Sequence, residues 1–214
     1  MKVFVIGANG QIGQYLIGVL QEHEEHSPVA MVRKQEQADA YQEKGIEAVL
    51  ADLEGSVEAI ANAAKGCDAI VFTAGSGGHT GPDKTLLIDL DGAVKAVEAA
   101  EQAGIERFII VSALQAHRRE NWSEQIKPYY VAKHYADKMV EQSGLTYTII
   151  RPGGLLNEEG NGKVTAAEDI RTGSIPREDV ARTIVAALDE ENTYYKAFDL
   201  ISGELPIQDA LKNL

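Results

Sequence analysis

Four apolar residues, Val3, Phe4, Val5 and Ile6, run without a spacer into Gly7-Ala8-Asn9-Gly10-Gln11-Ile12-Gly13. Apolar side chains at Ile12, Leu16, Val19 and Leu20 then fall on one helical face. Strand, glycine turn and amphipathic helix thus follow one another directly. Glycine at 7 lets the chain turn tightly off the strand. Glycine at 10 lets backbone amides approach a phosphate, and glycine at 13 lets helix and strand pack closely. The helix start adds free N–H groups and the positive end of a dipole. A glycine string alone is a weak signal; placed between a strand and a helix, it predicts a cradle for a diphosphate.

The rest of the chain keeps the same alternation. Short, nearly continuous apolar runs at 3–6, 29–32, 47–50, 69–73, 108–111, 146–150 and 197–201 predict seven strands buried on both faces. Helices are predicted from Ile12 to Leu20, over 57–65 after the N-cap Ser56, and over 86–103 up to Gly104. Two more are predicted over 130–143 and 178–188. Such alternation predicts an α/β Rossmann-type fold, a doubly wound parallel sheet of about seven strands with helices on both faces. At 214 residues, with no repeat or linker, one domain over 1–214 is expected. Only 155–176, the least regular stretch, and the tail 202–214 remain to cover a substrate. The substrate region is therefore minimal, and the substrate expected is small.

A net charge of −13 argues against a nucleic-acid grip and against an anionic membrane surface. The single cysteine, Cys67, cannot close an internal disulfide, which fits a reducing compartment. The first residues lack the apolar length of a signal peptide, and no run reaches the ~18 residues of a membrane span. A cytoplasmic protein is expected, with a small-molecule substrate as partner and a homodimer as the assembly allowed.

The end of the second strand bears on which nucleotide is bound. An Asp or Glu there would accept from a free ribose 2′-hydroxyl. Here Val32 is followed by Arg33 and Lys34. Two cations and no carboxylate favour the 2′-phosphate of NADP over NAD, with Arg33 offering a bidentate fork and Lys34 a point charge.

With these features the chain resembles the short-chain dehydrogenase/reductase superfamily. The likeness is to its atypical and extended branches, the NAD(P)-dependent epimerase/dehydratase and NmrA-like proteins. It is carried by the 7–13 turn, Ala51-Asp52-Leu53, Thr73-Ala74-Gly75, Val111-Ser112 and Tyr129-Tyr130-Val131-Ala132-Lys133. Ile150-Arg151-Pro152-Gly153-Gly154 and the 175–181 segment complete it, so it spans essentially the whole chain. The resemblance implies that Gly7, Asn9, Gly10, Gln11, Ile12 and Gly13 hold the cofactor phosphates. It implies that Asp52 and Leu53 border the adenine, that Ala74 and Gly75 pass near ribose and phosphates, and that Pro152 and Gly153 close over the nicotinamide. It further implies that Tyr129 transfers a proton, Lys133 also holds the nicotinamide ribose, and Ser112 positions the substrate.

The residues themselves support that chemistry. Tyr129 and Lys133 are four apart and share a helix face. An ammonium beside the phenol is expected to lower its pKa. The function expected is an NADP-dependent oxidoreductase or sugar-epimerase/dehydratase-like enzyme acting on a small carbonyl or alcohol. Two other functions stay open: flavin or biliverdin reductase-like hydride transfer without the tyrosine, and NmrA-like NADP sensing without catalysis. His117, Arg118 and Arg119 form either an anion-facing patch or a solvated loop. His79 reads as an exposed loop residue, Cys67 as packing, and His23 and His26 as an exposed helix end. No Cys/His/Asp/Glu spacing predicts a metal site.

Overall fold

The computed structural model describes all 214 residues. The elements run β1 (Lys2–Ile6), α1 (Gln11–Glu22), β2 (Ser27–Val32), α2 (Gln35–Gln42), β3 (Glu47–Leu50), α3 (Val57–Ala64) and β4 (Ala69–Phe72). Next come α4 (Pro82–Lys84), a π-helical segment (Thr85–Asp91), α5 (Gly92–Ala103), β5 (Arg107–Val111), α6 (Lys127–Gln142), β6 (Thr146–Pro152) and β7 (Gly154–Leu156). The chain ends with β8 (Lys163–Ala167), β9 (Ser174–Pro176), α7 (Arg177–Asp189), β10 (Lys196–Ser202), β11 (Leu205–Pro206) and α8 (Ile207–Lys212).

The main sheet is mixed and has nine strands, in the order β11-β8-β10-β6-β5-β4-β1-β2-β3. Seven of them, β3-β2-β1-β4-β5-β6-β10, are the predicted strands and pair in parallel. The expectation of about seven strands is corrected at the β10 edge, where β8 lies antiparallel to both β10 and β11. These strands carry no apolar run: in β8 only Val164 is buried, as suits an edge with one wet face. β7 and β9 form a separate parallel pair.

Successive strand residues serve opposite faces, which is why the sequence runs look continuous rather than alternating. Val3, Val5, Ala30, Val32, Val71, Ile109, Phe198 and Leu200 pack with α1, α7 and α8. Phe4, Ile6, Met31, Ile70, Phe72, Phe108, Ile110 and Ile149 pack with α3, α5 and α6. Each of these side chains larger than alanine contributes about 1.5–3 kcal/mol by leaving water. The tail joins the first face: Ile207, Ala210 and Leu211 are buried there. The helix predicted over 86–103 is α-helical only from Gly92. Before it, the π-helical turn points Asp89 inward, where it is fully buried.

His26, expected on an exposed helix end, is only 6% exposed. Its Nδ1 lies 3.2 Å from the Met1 amine and its Nε2 3.0 Å from Asp189 Oδ2. Burial pushes the imidazole below its ordinary value, against the pull of Asp189. The unfolded chain then binds the extra proton first, so stability falls as pH drops through 6.5 and below. Thermal melts between pH 7.5 and 5.5 are expected to show a falling Tm, with a shallower slope in His26→Gln. An unchanged slope in the variant would refute this assignment.

Candidate active site

The glycine turn has no room for side chains. Gly7 has φ +90°, and a Cβ there would lie 2.6 Å from the Ala74 amide nitrogen. A Cβ on Gly13 would lie 2.1 Å from the Gly7 carbonyl oxygen. The turn is held from behind: the Tyr41 hydroxyl donates to Ala8 O at 2.8 Å, and Gln14 Nε2 donates to Asn9 O at 3.0 Å. Gly10 is the N-cap of α1 and no side chain caps the helix. The first-turn amides of Gln11, Ile12 and Gly13 therefore face outward with the dipole end behind them, which fits a diphosphate.

The other cofactor residues that the resemblance implies follow the ends of β2, β3, β4 and β6. Arg33 and Lys34 follow β2, exposed, while Gln37 Oε1 accepts from both of their backbone amides at 3.2 Å. Both side chains are thus free to meet an anion. Asp52 is exposed after β3; its Oδ1 accepts from Glu54 N at 3.0 Å, leaving the other oxygen open. Leu53 is buried beside Gly92. Just past β4, Ala74 lies against Gly7, and a Cβ on Gly75 would lie 3.2 Å from Asp89 Oδ1. Pro152 and Gly153 end β6, both buried, with Gly153 N donating to Leu200 O at 2.9 Å.

Ser112, Tyr129 and Lys133 gather at the end of β5. Pro128 sits in the first turn of α6, and Tyr129, Lys133 and Asp137 follow at four-residue steps. Lys133 Nζ donates to Val111 O at 3.1 Å and lies 5.7 Å from the centre of the Tyr129 ring. It also pairs with Asp89 Oδ1 at 3.5 Å, both side chains being almost fully buried. Sequence reasoning missed Asp89. The leucine-rich stretch carries two carboxylates, Asp89 and Asp91, and nothing in the sequence marks Asp89 as the one that faces inward.

The electrostatics differ from the expectation in one respect. Lys133 does pull the Tyr129 phenol down, but burial pushes it up more strongly and Asp89 adds to that, so the net shift is upward. Burial opposes charge on Lys133, yet Tyr129 and Asp89 together raise its pKa, so it stays an ammonium. Ser112 is buried beside Asp137, whose carboxyl its hydroxyl pulls down, and the other Asp89 oxygen, Oδ2, accepts from Ser76 N at 3.0 Å. Behind them Asp137 Oδ2 accepts from Arg151 Nε at 2.8 Å in a buried ion pair.

The remaining candidates lie elsewhere. His79 is exposed in the loop after β4. Burial raises the Cys67 thiol to about 11, so it is packing. His117 and Arg118 meet Asp169, and His117 also faces Asp199. No spacing signalled this, because the three ligand-type residues are widely separated in sequence.

This geometry agrees with what the chain is similar to. A family model described as NAD(P)H-binding matches residues 7–191. A Bacillus subtilis (strain 168) protein carried as the uncharacterized sugar epimerase YhfK is 68% identical over 214 residues, covering 100% of both chains. A Bacillus halodurans structure, provisionally named an NAD-dependent epimerase/dehydratase, superposes with a TM-score of 0.94 at 43% identity, covering 100% of both chains. The Lactococcus lactis oxidoreductase ylbE superposes with a TM-score of 0.92 at 34% identity, covering 100% of this chain and 96% of that one. A strand-to-helix turn that fits a diphosphate thus sits in a chain that belongs to the NAD(P)H-binding family, among NAD(P)-binding oxidoreductases and epimerase/dehydratases.

Proposed function

We propose that the protein is an NADP-dependent oxidoreductase that interconverts a small carbonyl compound and its alcohol, with Tyr129 moving the proton. The observation that carries this is the pinning of Lys133 between Asp89 and Val111 O, with its ammonium beside the Tyr129 ring. When bound, the nicotinamide supplies the hydride. The rest falls to this chain. A phenol whose pKa is raised stays protonated at neutral pH, so Tyr129 is set to donate to a carbonyl oxygen that gains charge. The Lys133 ammonium then stabilises the phenolate left behind. Ser112 Oγ, buried beside Asp137 at the end of β5, orients the same oxygen. The name of the Bacillus subtilis relative supports a sugar-epimerase variant of the same chemistry, in which Tyr129 first accepts the proton of a sugar hydroxyl and then gives it back.

Purified protein with NADPH is expected to reduce members of a panel of small carbonyls. Turnover of flavins or quinones alone, unaffected by loss of Tyr129, would favour a flavin-reductase-like role. Tight NADPH binding with no turnover at all would favour a sensing role of the NmrA-like kind.

The preference for NADP rests on the free side chains of Arg33 and Lys34. Arg33→Ala is expected to weaken NADPH by about 1–3 kcal/mol, the scale of a lost charge-assisted contact, and to leave NADH almost unchanged. Calorimetric titration measures both; equal losses would remove the argument.

A further inference from the structure

A polar cluster that shares no residue with the site above lies where the loop after β5, the loop after β8 and strand β10 meet. His117, Asp169 and Asp199 converge there, with ligand-type atoms all within 4.8 Å of one another. His117 Nδ1 lies 3.9 Å from Asp199 Oδ1, and His117 Nε2 lies 4.0 Å from Asp169 Oδ1. Both gaps are too long for a direct hydrogen bond. Neither ring nitrogen has a partner, and neither does Asp199 Oδ1, although Asp199 is completely buried. An unpartnered carboxylate oxygen with no access to solvent is costly, and here it is aimed at the imidazole.

The surroundings orient these groups. Gln115, with φ +63°, donates through Nε2 to Asp169 Oδ1 at 2.6 Å, Ile170 O at 2.9 Å and Asp199 Oδ2 at 3.1 Å. Ile170 N donates to the same Asp199 oxygen at 2.9 Å, and Asn121 fixes the Gln115 carbonyl. The two carboxylates are therefore held by their neighbours with Asp199 Oδ1 left over, the arrangement of supporting groups around a metal ligand. Of the nearby cations, Arg118 takes the outer oxygen of Asp169 at 3.2 Å. Arg151 is already paired with Asp137 and Glu141.

We propose that His117, Asp169 and Asp199 bind a borderline divalent cation of the Zn²⁺ type, tying the two loops to β10. His117 Nδ1 and Asp199 Oδ1 stand 3.9 Å apart, somewhat wider than the ~3.3 Å between two ligand atoms of a tetrahedral ion with bonds of about 2.0 Å, so a small closing movement lets one ion bind both. Asp169, whose Oδ1 lies nearest the other ring nitrogen, Nε2, and whose Oδ2 is held by Arg118, is exposed and swings to the Nδ1 side as the third ligand, leaving one position for water. One imidazole with two carboxylates selects Zn²⁺, Co²⁺ or Mn²⁺ over Mg²⁺ and Ca²⁺, which take oxygen ligands.

The test is calorimetric titration of Zn²⁺ into the chelator-treated full chain, with melting curves in parallel. One saturable site per chain is expected, together with a Zn²⁺-dependent rise in Tm. His117→Ala and Asp169→Asn are each expected to weaken it at least tenfold and to abolish the rise, while Cys67→Ser leaves both intact. Asp169 is exposed, so Asp169→Asn carries the test even if His117→Ala folds poorly. Absence of a saturable site, or uptake unchanged in both variants, overturns the proposal and leaves only water between these groups.

Discussion

Tyr129→Phe is expected to lower kcat for carbonyl reduction by about 10²–10⁴-fold, the usual worth of a positioned general acid. NADPH affinity should stay within about twofold, because a single hydroxyl outside the glycine turn is removed. Tyr129 makes no hydrogen bond that the fold depends on, and its ring meets Tyr130 edge-on at 6.1 Å. Phenylalanine keeps that contact and the ring beside Lys133. The loss should therefore appear in steady-state kcat and not in the melting curve. Unchanged carbonyl turnover in the variant would take the proton away from Tyr129.

Asp137→Ala is expected to cost about 3–5 kcal/mol of stability, the scale of removing one partner from a buried ion pair. Arg151 and Asp137 are only 4% and 3% exposed. Burial raises the Asp137 carboxyl and Arg151 pulls it back, so each group makes the other tolerable. After the change Arg151 keeps only Glu141, at 3.7 Å. For a chain of this size each kcal/mol is worth roughly 2–4 °C, so a drop of about 6–20 °C in Tm is expected. Lys127 and Glu124, 51% and 81% exposed, form a surface pair whose loss should change little. A cost below about 1 kcal/mol for Asp137→Ala, in urea unfolding, would mean that the pair is wet.

The parallel strands were legible because each carries apolar residues on both faces, as in Val3 to Ile6 and Phe108 to Val111. The glycine turn was legible because only glycine fits so close to Ala74. Helices α2 and α8 were not: α2 buries only Ala38 and Tyr41, too little for a helical stripe, and α8 is six residues long. Strand β8 buries a single residue, so its place depends on pairing with β10 and not on any local pattern. Within the site, Tyr129 and Lys133 could be read from their spacing along α6. Asp89 could not, because a π-helical turn decides which side of the helix it faces. The direction of the Tyr129 shift was also out of reach, since it depends on burial and on Asp89 rather than on the neighbouring lysine alone.

Every proposed role requires the turn of residues 7–13 and the two free cations beyond β2 to act together on one nucleotide. Calorimetric titration of the unaltered chain with NADPH and with NADH tests this directly. One site per chain is expected, with NADPH bound at least tenfold more tightly than NADH. No heat with either nucleotide, or equal affinity for the two, would contradict it.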